Sequence, residues 1–162
     1  MLELITISEV NDALAEMVAS FRVELRCYKG IVSRTNVDAG REEMEEYLVA
    51  GFPVFVAMVD GEYAGYVVCR VDCEVVWVES IFVKEEFRRH GVASALHRQA
   101  EDIAASYGDD TVYNYVHPNN HRMIEFLRKR GYTVLNLIEI RKPYKGERLT
   151  QAITVGEHEF DY

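Results

Sequence analysis

The sequence predicts an α+β domain in which a mixed, mostly antiparallel sheet of six to seven strands is flanked by about four helices. Three runs rich in Val, Phe, Tyr and Trp lie between residues 52 and 83, and the Asp60-Gly61 turn between the first two is typical of a β-hairpin. Two amphipathic helical patterns precede these runs, and helix-like and strand-like segments alternate after them. A meander followed by such an alternation differs from a uniform βαβ repeat.

Length and composition favour a single domain over residues 1–162. The 49% hydrophobic content of the 162 residues argues against disorder. No apolar run reaches the roughly 18 residues that span a bilayer, and the first residues lack a secretory signal pattern. The three cysteines, Cys27, Cys69 and Cys73, are odd in number and have no metal-ligand spacing. We therefore expect a cytoplasmic protein with no membrane segment, disulfide or metal site.

The first half of the chain predicts a strand and two helices. Residues 2–7 alternate as a short strand, and Ser8 is placed to cap the first helix. A polar loop over residues 29–37 precedes a second, acidic helix that begins at Asp38 and ends near Gly51. The predicted apolar face of the first helix consists of Val10, Ala13, Leu14, Met17, Val18, Phe21 and Leu25.

The second half alternates between helices and strands after the meander. Residues 91–108 form a helical pattern that ends in glycine, and residues 111–116 form a β-rich segment. A second helical pattern covers residues 119–131. Residues 132–140 predict a further strand, and the tail beyond residue 149 predicts one or two more.

The charge of the chain is unevenly distributed. Its net charge is −9, and residues 1–83 hold six Lys or Arg against fifteen Asp or Glu. This excess of negative charge disfavours nucleic-acid binding and attracts cationic small molecules.

The most informative stretch is residues 81–96, where a strand ends and a helix begins among small residues. A helix N-terminus has unpaired N–H groups and a partial positive charge. Because Gly91, Ala93 and Ser94 lack bulk, an anionic group can approach those N–H groups closely, which favours a phosphate site. The stretch lacks the glycines of a dinucleotide fingerprint and the Gly-Lys-Ser/Thr of a Walker A loop. Tight packing is the alternative role of such small residues.

This stretch resembles motif A of the GNAT superfamily of acyl-CoA-dependent N-acyltransferases. The family pattern Arg/Gln-x-x-Gly-x-Gly/Ala is present as Arg88-Arg89-His90-Gly91-Val92-Ala93. The segment from Asn120 to Tyr132 is similar to motif B, Asn-x-x-Ala-x-x-Phe-Tyr-x-Lys-x-Gly-Phe, and the hairpin over residues 52–69 also matches a family segment. The resemblance covers about residues 50–140 and implies acetyl-CoA as cosubstrate.

The resemblance also implies which residues bind coenzyme A. The backbone amides from Arg89 to Ser94 would bind its pyrophosphate, and the main chain from Ile81 to Val83 would pair with its pantetheine arm. Asn120 would hold the pantetheine or another part of the cofactor; an N-cap role is equally compatible with its position, and the two roles can coexist. The expected cofactor-binding residues are Ile81, Phe82, Val83, Arg88, Arg89, His90, Gly91, Val92, Ala93, Ser94 and Asn120.

Glu79 is the candidate general base for the implied reaction, in which an amine attacks the acetyl carbonyl directly. The amine is mostly protonated at neutral pH, so a group must remove its proton. By alternation Glu79 shares a strand face with Val75, Trp77 and Ile81, and burial on an apolar face would raise the pKa of a carboxyl. An exposed glutamate at a strand edge is the alternative interpretation.

The general acid is where the sequence departs from the family. Motif B usually has a tyrosine seven residues after its asparagine, and the resemblance implies that this tyrosine protonates the leaving thiolate. Leu127 occupies that position here and has no proton to donate. Tyr115 is the candidate replacement, with Tyr113, His117 and His121 as alternatives near the same strand–helix junction.

Three functional hypotheses remain open from the sequence. The first is an N-acetyltransferase that acts on a primary amine of a cationic small molecule. The second is a protein N-terminal or lysine acetyltransferase, and the third is a non-catalytic acyl-CoA-binding or sensing domain, which Leu127 favours. The strands expected near the C-terminus would leave an exposed sheet edge, from which we expect a homodimer.

Overall fold

A five-stranded sheet organises the first part of the computed structural model, which describes residues 1–162. The strands are β1 (Leu2–Thr6), β2 (Val54–Val59), β3 (Glu62–Asp72), β4 (Val75–Val83), β5 (Tyr113–Asn114), β6 (Ala152–Val155) and β7 (His158–Asp161). The helices are α1 (Asp12–Tyr28), α2 (Val37–Val49), α3 (Val92–Ser106) and α4 (His121–Lys129), and a short 3-10 turn covers Glu85–Phe87.

The chain divides into two units, Met1–Phe126 and Leu127–Tyr162. In the first unit the sheet order follows the chain, β1-β2-β3-β4-β5, and only the β4–β5 pair is parallel. In the second unit β6 and β7 form a separate antiparallel pair. The predicted α+β class with four helices is confirmed, whereas the expected single sheet of six to seven strands is divided into five strands and two.

The core of the first unit lies between the sheet and the helices α1 and α2. Apolar side chains at helical spacing on α1 pack against the alternating side chains of β2 and β3, as the periodicity predicted. The central cluster consists of Leu14, Met17, Val18, Met44, Val54, Val56, Tyr66, Val68 and Phe82. None of the helices is both long and apolar enough to cross a membrane.

Asparagine side chains cap the first two helices. Asn11 accepts a hydrogen bond from the Leu14 N–H at 2.9 Å, and Asn36 accepts one from the Ala39 N–H at 3.0 Å. The predicted cap at Ser8 is therefore wrong by three residues. The segment between β1 and α1 begins with the Ile7 N–H donating to the Val54 carbonyl at 2.9 Å, so its first residue continues the strand pairing.

Two strand predictions in the second half need correction. Of residues 111–116, only Tyr113 and Asn114 pair, because the chain leaves β4 immediately afterwards. Residues 132–140 form no strand, and the side chains from 133 to 140 are exposed. This segment has apolar residues on both of its faces, so a strand here needs cover on both sides, which its own unit does not supply.

The close approach of α1 and α2 depends on Gly40. A Cβ added there would lie 2.4 Å from the Ala15 carbonyl oxygen and 2.9 Å from the Ala19 nitrogen. Alanine would gain about 1 kcal/mol in helix propensity, but separating the backbones should cost about 1–3 kcal/mol. We predict a net destabilisation of Gly40→Ala in urea unfolding. The control Glu45→Ala, at an exposed position of the same helix, should change stability by less than about 0.5 kcal/mol; a stabilised Gly40→Ala protein would contradict the packing argument.

Candidate active site

A cleft opens in the first unit where β4 and β5 separate. The two strands pair only through Trp77–Tyr113 and Val78–Asn114, and β4 then continues to Val83 without a neighbour on that side. The backbone groups on that edge of β4 are free to pair with an extended ligand. The cleft is lined by Phe21, Leu25, Val78, Glu79, Ser80, Ile81, Asn114, Tyr115, Val116, His117, Asn120 and Met123.

The point of separation is held by the side chain of Asn114. Its oxygen lies 3.1 Å from Nε2 of His97, which is fully buried on α3, and its amide donates to the Val112 carbonyl at 3.1 Å. The His97 Nδ1 lies 3.3 Å from a Glu101 carboxylate oxygen one helical turn later. This chain of polar contacts, centred on a buried histidine, fixes the last paired residue of β5 and therefore the geometry of the cleft entrance.

Glu79 lies at an irregularity of β4. Val68 of β3 pairs with Ser80 and Cys69 pairs with Val78, so Glu79 has no partner in the register. Such a bulge inserts an extra residue and redirects its side chain, and bulges are frequent next to active sites. The structure therefore places the candidate base in the cleft wall. The neighbouring Ser80 also lines the cleft, and its hydroxyl is hydrogen-bonded at 2.9 Å to the hydroxyl of Tyr66 in the core.

The surroundings of Glu79 differ from the apolar face that the sequence predicted. The Arg70 Nε lies 3.1 Å from Glu79 Oε2. The Arg70 guanidinium also stacks over Trp77, 4.3 Å from the ring centre, and lies 5.9 Å from the ring centre of Tyr115. Glu79 is thus an ion-paired carboxylate with 28% of its side chain exposed rather than an isolated one. Arg70, the only basic residue between positions 42 and 83, was missed by the sequence analysis.

The four candidate proton donors lie in different environments. Tyr115 lines the cleft and is 63% exposed, whereas the Tyr113 ring packs against Trp77 with 5.5 Å between ring centres. His117 also lines the cleft, where burial and the nearby Lys29 cation lower its pKa. Its Nδ1 accepts a hydrogen bond from the Asn119 N–H at 3.1 Å, a role that an unprotonated Nδ1 fills. His121 is exposed at the start of α4.

The N-terminus of α3 is the one helix start without a side-chain cap. Asn11 and Asn36 cap the first two helices, and Asn120 caps α4 by accepting from the Met123 N–H at 3.1 Å. In α3 the first helical hydrogen bond runs from Ala95 to Gly91. The N–H groups of residues 92–94 consequently have no helical partner, which suits an anion.

The turn into α3 exposes these N–H groups. Arg89 has φ +66° and Gly91 has φ +83°, both in the left-handed region. No heavy atom lies within 4 Å of a Cβ added at Gly91, so the space above the turn is open. The predicted small-residue phosphate loop, including His90, Val92, Ala93 and Ser94, therefore has the geometry that the sequence suggested, while its binding role stays a prediction.

Two of the expected cofactor residues have other partners. The Arg88 Nε donates to the Val83 carbonyl at 2.8 Å, and its guanidinium pairs with Glu24 of α1. Arg88 thus braces the loop after β4, and its guanidinium is already engaged. The side chain of Phe82 packs in the core, so only its main chain remains for a ligand.

Asn120 and Leu127 complete the motif B positions. The Asn120 side-chain oxygen serves as the cap of α4, so the N-cap alternative is confirmed, and the residue also lines the cleft. Leu127 lies in the second unit and is 7% exposed. Its apolar side chain is buried, in keeping with the absence of a proton donor at that position.

Comparison with known proteins relates this chain to one family. The family described as the acetyltransferase (GNAT) family matches residues 19–132. The uncharacterized N-acetyltransferase MJ1207 of Methanocaldococcus jannaschii is 33% identical over 87 residues, which cover 48% of this chain and 38% of that protein. The match thus spans well under half of this relative.

Solved structures show the same fold at low sequence identity. AAC(6')-Iy, in complex with the bisubstrate analogue CoA-S-monomethyl-acetylneamine, is 22% identical with a TM-score of 0.64, covering 89% of this chain and 99% of that one. PH1933 from Pyrococcus horikoshii OT3 is 21% identical with a TM-score of 0.66, covering 86% and 94%. The aminoglycoside 6'-N-acetyltransferase AAC(6')-IG from Acinetobacter haemolyticus is 18% identical with a TM-score of 0.63, covering 88% and 99%.

The open turn at Gly91 provides a matched test of the anion site. Gly91 and Gly108 lie just beyond the two ends of α3, with φ +83° and +85° and open space at both. Alanine at either position should cost about 1–2 kcal/mol of stability. We predict that only Gly91→Ala weakens acetyl-CoA binding in calorimetry, because its Cβ fills the open space through which the pyrophosphate approaches the N–H groups. If one hydrogen bond to the charged group is lost in this way, the affinity falls by about tenfold or more. Equal affinities of the two variants would place the pyrophosphate elsewhere.

Proposed function

Since this chain belongs to the acetyltransferase (GNAT) family, as the motifs predicted, we propose that it transfers an acetyl group from acetyl-CoA to a primary amine of a cationic small molecule. The observation that carries this proposal is that the N-terminus of α3 has no side-chain cap and follows a strand, β4, whose last residues have no neighbouring strand on one edge. Together they offer N–H groups for a pyrophosphate and a strand edge for an extended arm. Acetyl-CoA has both features in that order.

The residues around the cleft suggest how the chain handles each part of the donor. The amides of residues 89–94 bind the pyrophosphate, and the main chain of Ile81–Val83 pairs with the pantetheine arm. In this arrangement the thioester would lie in the part of the cleft that Glu79 and Tyr115 line. Holding the two reactants in one orientation supplies a large part of such a rate enhancement.

Glu79 acts as the general base in this proposal. The acceptor enters as an ammonium ion, Glu79 takes one proton, and the neutral nitrogen attacks the acetyl carbonyl. The C–N bond forms, the C–S bond breaks, and the thiolate of coenzyme A leaves. Tyr115, which lines the cleft just after the end of β5, donates a proton to that thiolate, with solvent as the further source.

The cysteines support direct attack over an acetyl-cysteine intermediate. Burial raises the pKa of Cys69 to about 12, so this thiol is protonated at neutral pH. A hydrogen bond with the side chain of Asp72 raises the pKa of Cys73. Neither residue lines the cleft, and neither does Cys27.

The acceptor is expected to be a small cation for reasons of charge. Residues 1–83 contain α1, α2 and the strands up to β4, and they hold the whole net charge of −9. Such an excess of negative charge attracts cations to this part of the molecule. Aminoglycoside acetyltransferases are among the proteins of this fold, so aminosugars join polyamines in the first panel of acceptors.

Release of free thiol from acetyl-CoA, measured over that panel, tests the proposed function. We expect turnover with at least one polyamine or aminosugar and none with neutral hydroxyl analogues. Lysine-containing peptides serve as the comparison that separates a protein acetyltransferase from a small-molecule one. Tight acetyl-CoA binding with no turnover of any amine would instead favour the non-catalytic hypothesis.

Replacing Glu79 by Gln keeps the side-chain shape and removes the base. We predict that kcat/KM falls by about 10²–10⁴-fold at neutral pH. The deficit should shrink as the pH rises, because more of the amine is already neutral, while acetyl-CoA affinity changes little. Superimposable pH–rate profiles of the two proteins would show that the base lies elsewhere.

We also propose that the chain forms a homodimer through residues 133–140. Val134, Leu135, Leu137, Ile138 and Ile140 are all exposed, with values of 45–88%. Burying one such side chain gains about 1.5–3 kcal/mol, so an exposed extended segment of this kind favours association. A second copy of the chain has the same exposed apolar segment, so the two segments can bury each other in a symmetric dimer.

Light scattering at micromolar concentration tests the dimer. We expect twice the chain mass for the wild-type protein and a shift toward the monomer for Leu135→Lys with Leu137→Lys. Thr150→Lys, at another exposed position of the second unit, is the control and should remain dimeric. A monomeric wild-type protein would refute the proposal.

A further inference from the structure

Arg70 lies beside Glu79, with its guanidinium between that carboxylate and two aromatic rings. One carboxylate oxygen lies 3.1 Å from its Nε, and the Trp77 ring lies under the guanidinium at 4.3 Å. The Tyr115 hydroxyl lies 3.4 Å from a terminal guanidinium nitrogen. A carboxylate flanked by two aromatic rings is the combination that recognises organic cations.

We propose that Arg70 is an internal competitor of the acceptor, which displaces it from Glu79 and Trp77 when it binds. This inference rests on the proposed function, in which Glu79 accepts a proton from the acceptor ammonium. Glu79 becomes available for that role only after Arg70 has moved away. Arg70 is therefore a specificity-determining residue. It admits acceptors whose cationic group replaces both contacts of the guanidinium, and it excludes neutral amines and weakly held monocations.

The contacts of Arg70 are weak enough for displacement. Its side chain and that of Glu79 are each 28% exposed, so solvent screens the ion pair. A partly exposed ion pair and a cation–π contact together correspond to a factor of about 3–30 in affinity. A dication or an alkylguanidinium recovers that factor by making the same contacts, while a neutral amine recovers none of it.

The geometry distinguishes this role from that of a mere surface ion pair. Arg70 is the only basic residue between positions 42 and 83, in the strongly acidic part of the chain, and it is paired with the one residue of β4 that the bulge leaves out of the register. Its partners Glu79 and Tyr115 both line the cleft. The second unit provides a matched surface pair, in which Arg141 contacts Glu147 at 2.6 Å and the Tyr144 ring at 4.6 Å.

Trp77 makes the displacement directly observable, because it is the sole tryptophan of the chain. The probes are methylguanidinium and 1,4-diaminobutane, titrated into the coenzyme A complex while tryptophan fluorescence is recorded. Arg70→Met keeps an unbranched side chain but removes the guanidinium that pairs with Glu79 and lies over the Trp77 ring. We expect it to bind both probes about 3–30-fold more tightly than the wild type. Arg141→Met changes the net charge equally and should leave both affinities unchanged.

Several results would overturn the proposal. Equal or weaker probe binding by Arg70→Met shows that the guanidinium does not occupy the acceptor position, and equal gains in Arg70→Met and Arg141→Met reduce the effect to net charge. If Arg70→Met proves misfolded by circular dichroism, Arg70→Gln replaces it with the same expectation. Fluorescence needs no turnover, so failure of this proposal is distinct from failure of the acetyltransferase assignment, which thiol release reports.

Discussion

The structure depends on the separation of β4 from β5 after only two paired residues on each strand. Pairing over Trp77–Val78 keeps β5 in the sheet, and its loss beyond that point leaves an open edge along the rest of β4. The cleft walls and the exposed edge at the end of β4 both follow from this separation. The buried His97 contacts Asn114, the last paired residue of β5, and so fixes the position at which the two strands separate. A polar group in the core thus sets the geometry of a surface site.

The features that the sequence predicted best are those with local causes. The Asp60-Gly61 hairpin, the helical periodicity of α1 and the small-residue start of α3 each arise from neighbouring residues, and each lies where it was expected. The same holds for the Leu127 position, whose apolar character needs no structure to establish. Local chemistry also explains the error at Ser8, since serine and asparagine both cap helices and only the backbone path selects Asn11.

The features that the sequence did not predict depend on contacts between distant residues. Arg70 of β3 and Glu79 of β4 lie close together because the register between these two strands shifts and leaves Glu79 unpaired. No spacing along the chain encodes that contact. The short β5 and the unpaired residues 133–140 have the same origin. Their β-rich composition favours extended structure, but a strand exists only where another strand accepts its hydrogen bonds.

The missing cap of α3 has a consequence for the energy of the free protein. Three helices of this chain have an asparagine at their start, and the fourth begins with a glycine that satisfies none of its N–H groups. A bound pyrophosphate supplies what the sequence omits, so ligand binding and helix stability become linked equilibria. At a ligand concentration 100 times the dissociation constant, such linkage adds about 2.7 kcal/mol to the free energy of unfolding. The cellular supply of the ligand would then govern how often this end of the helix frays.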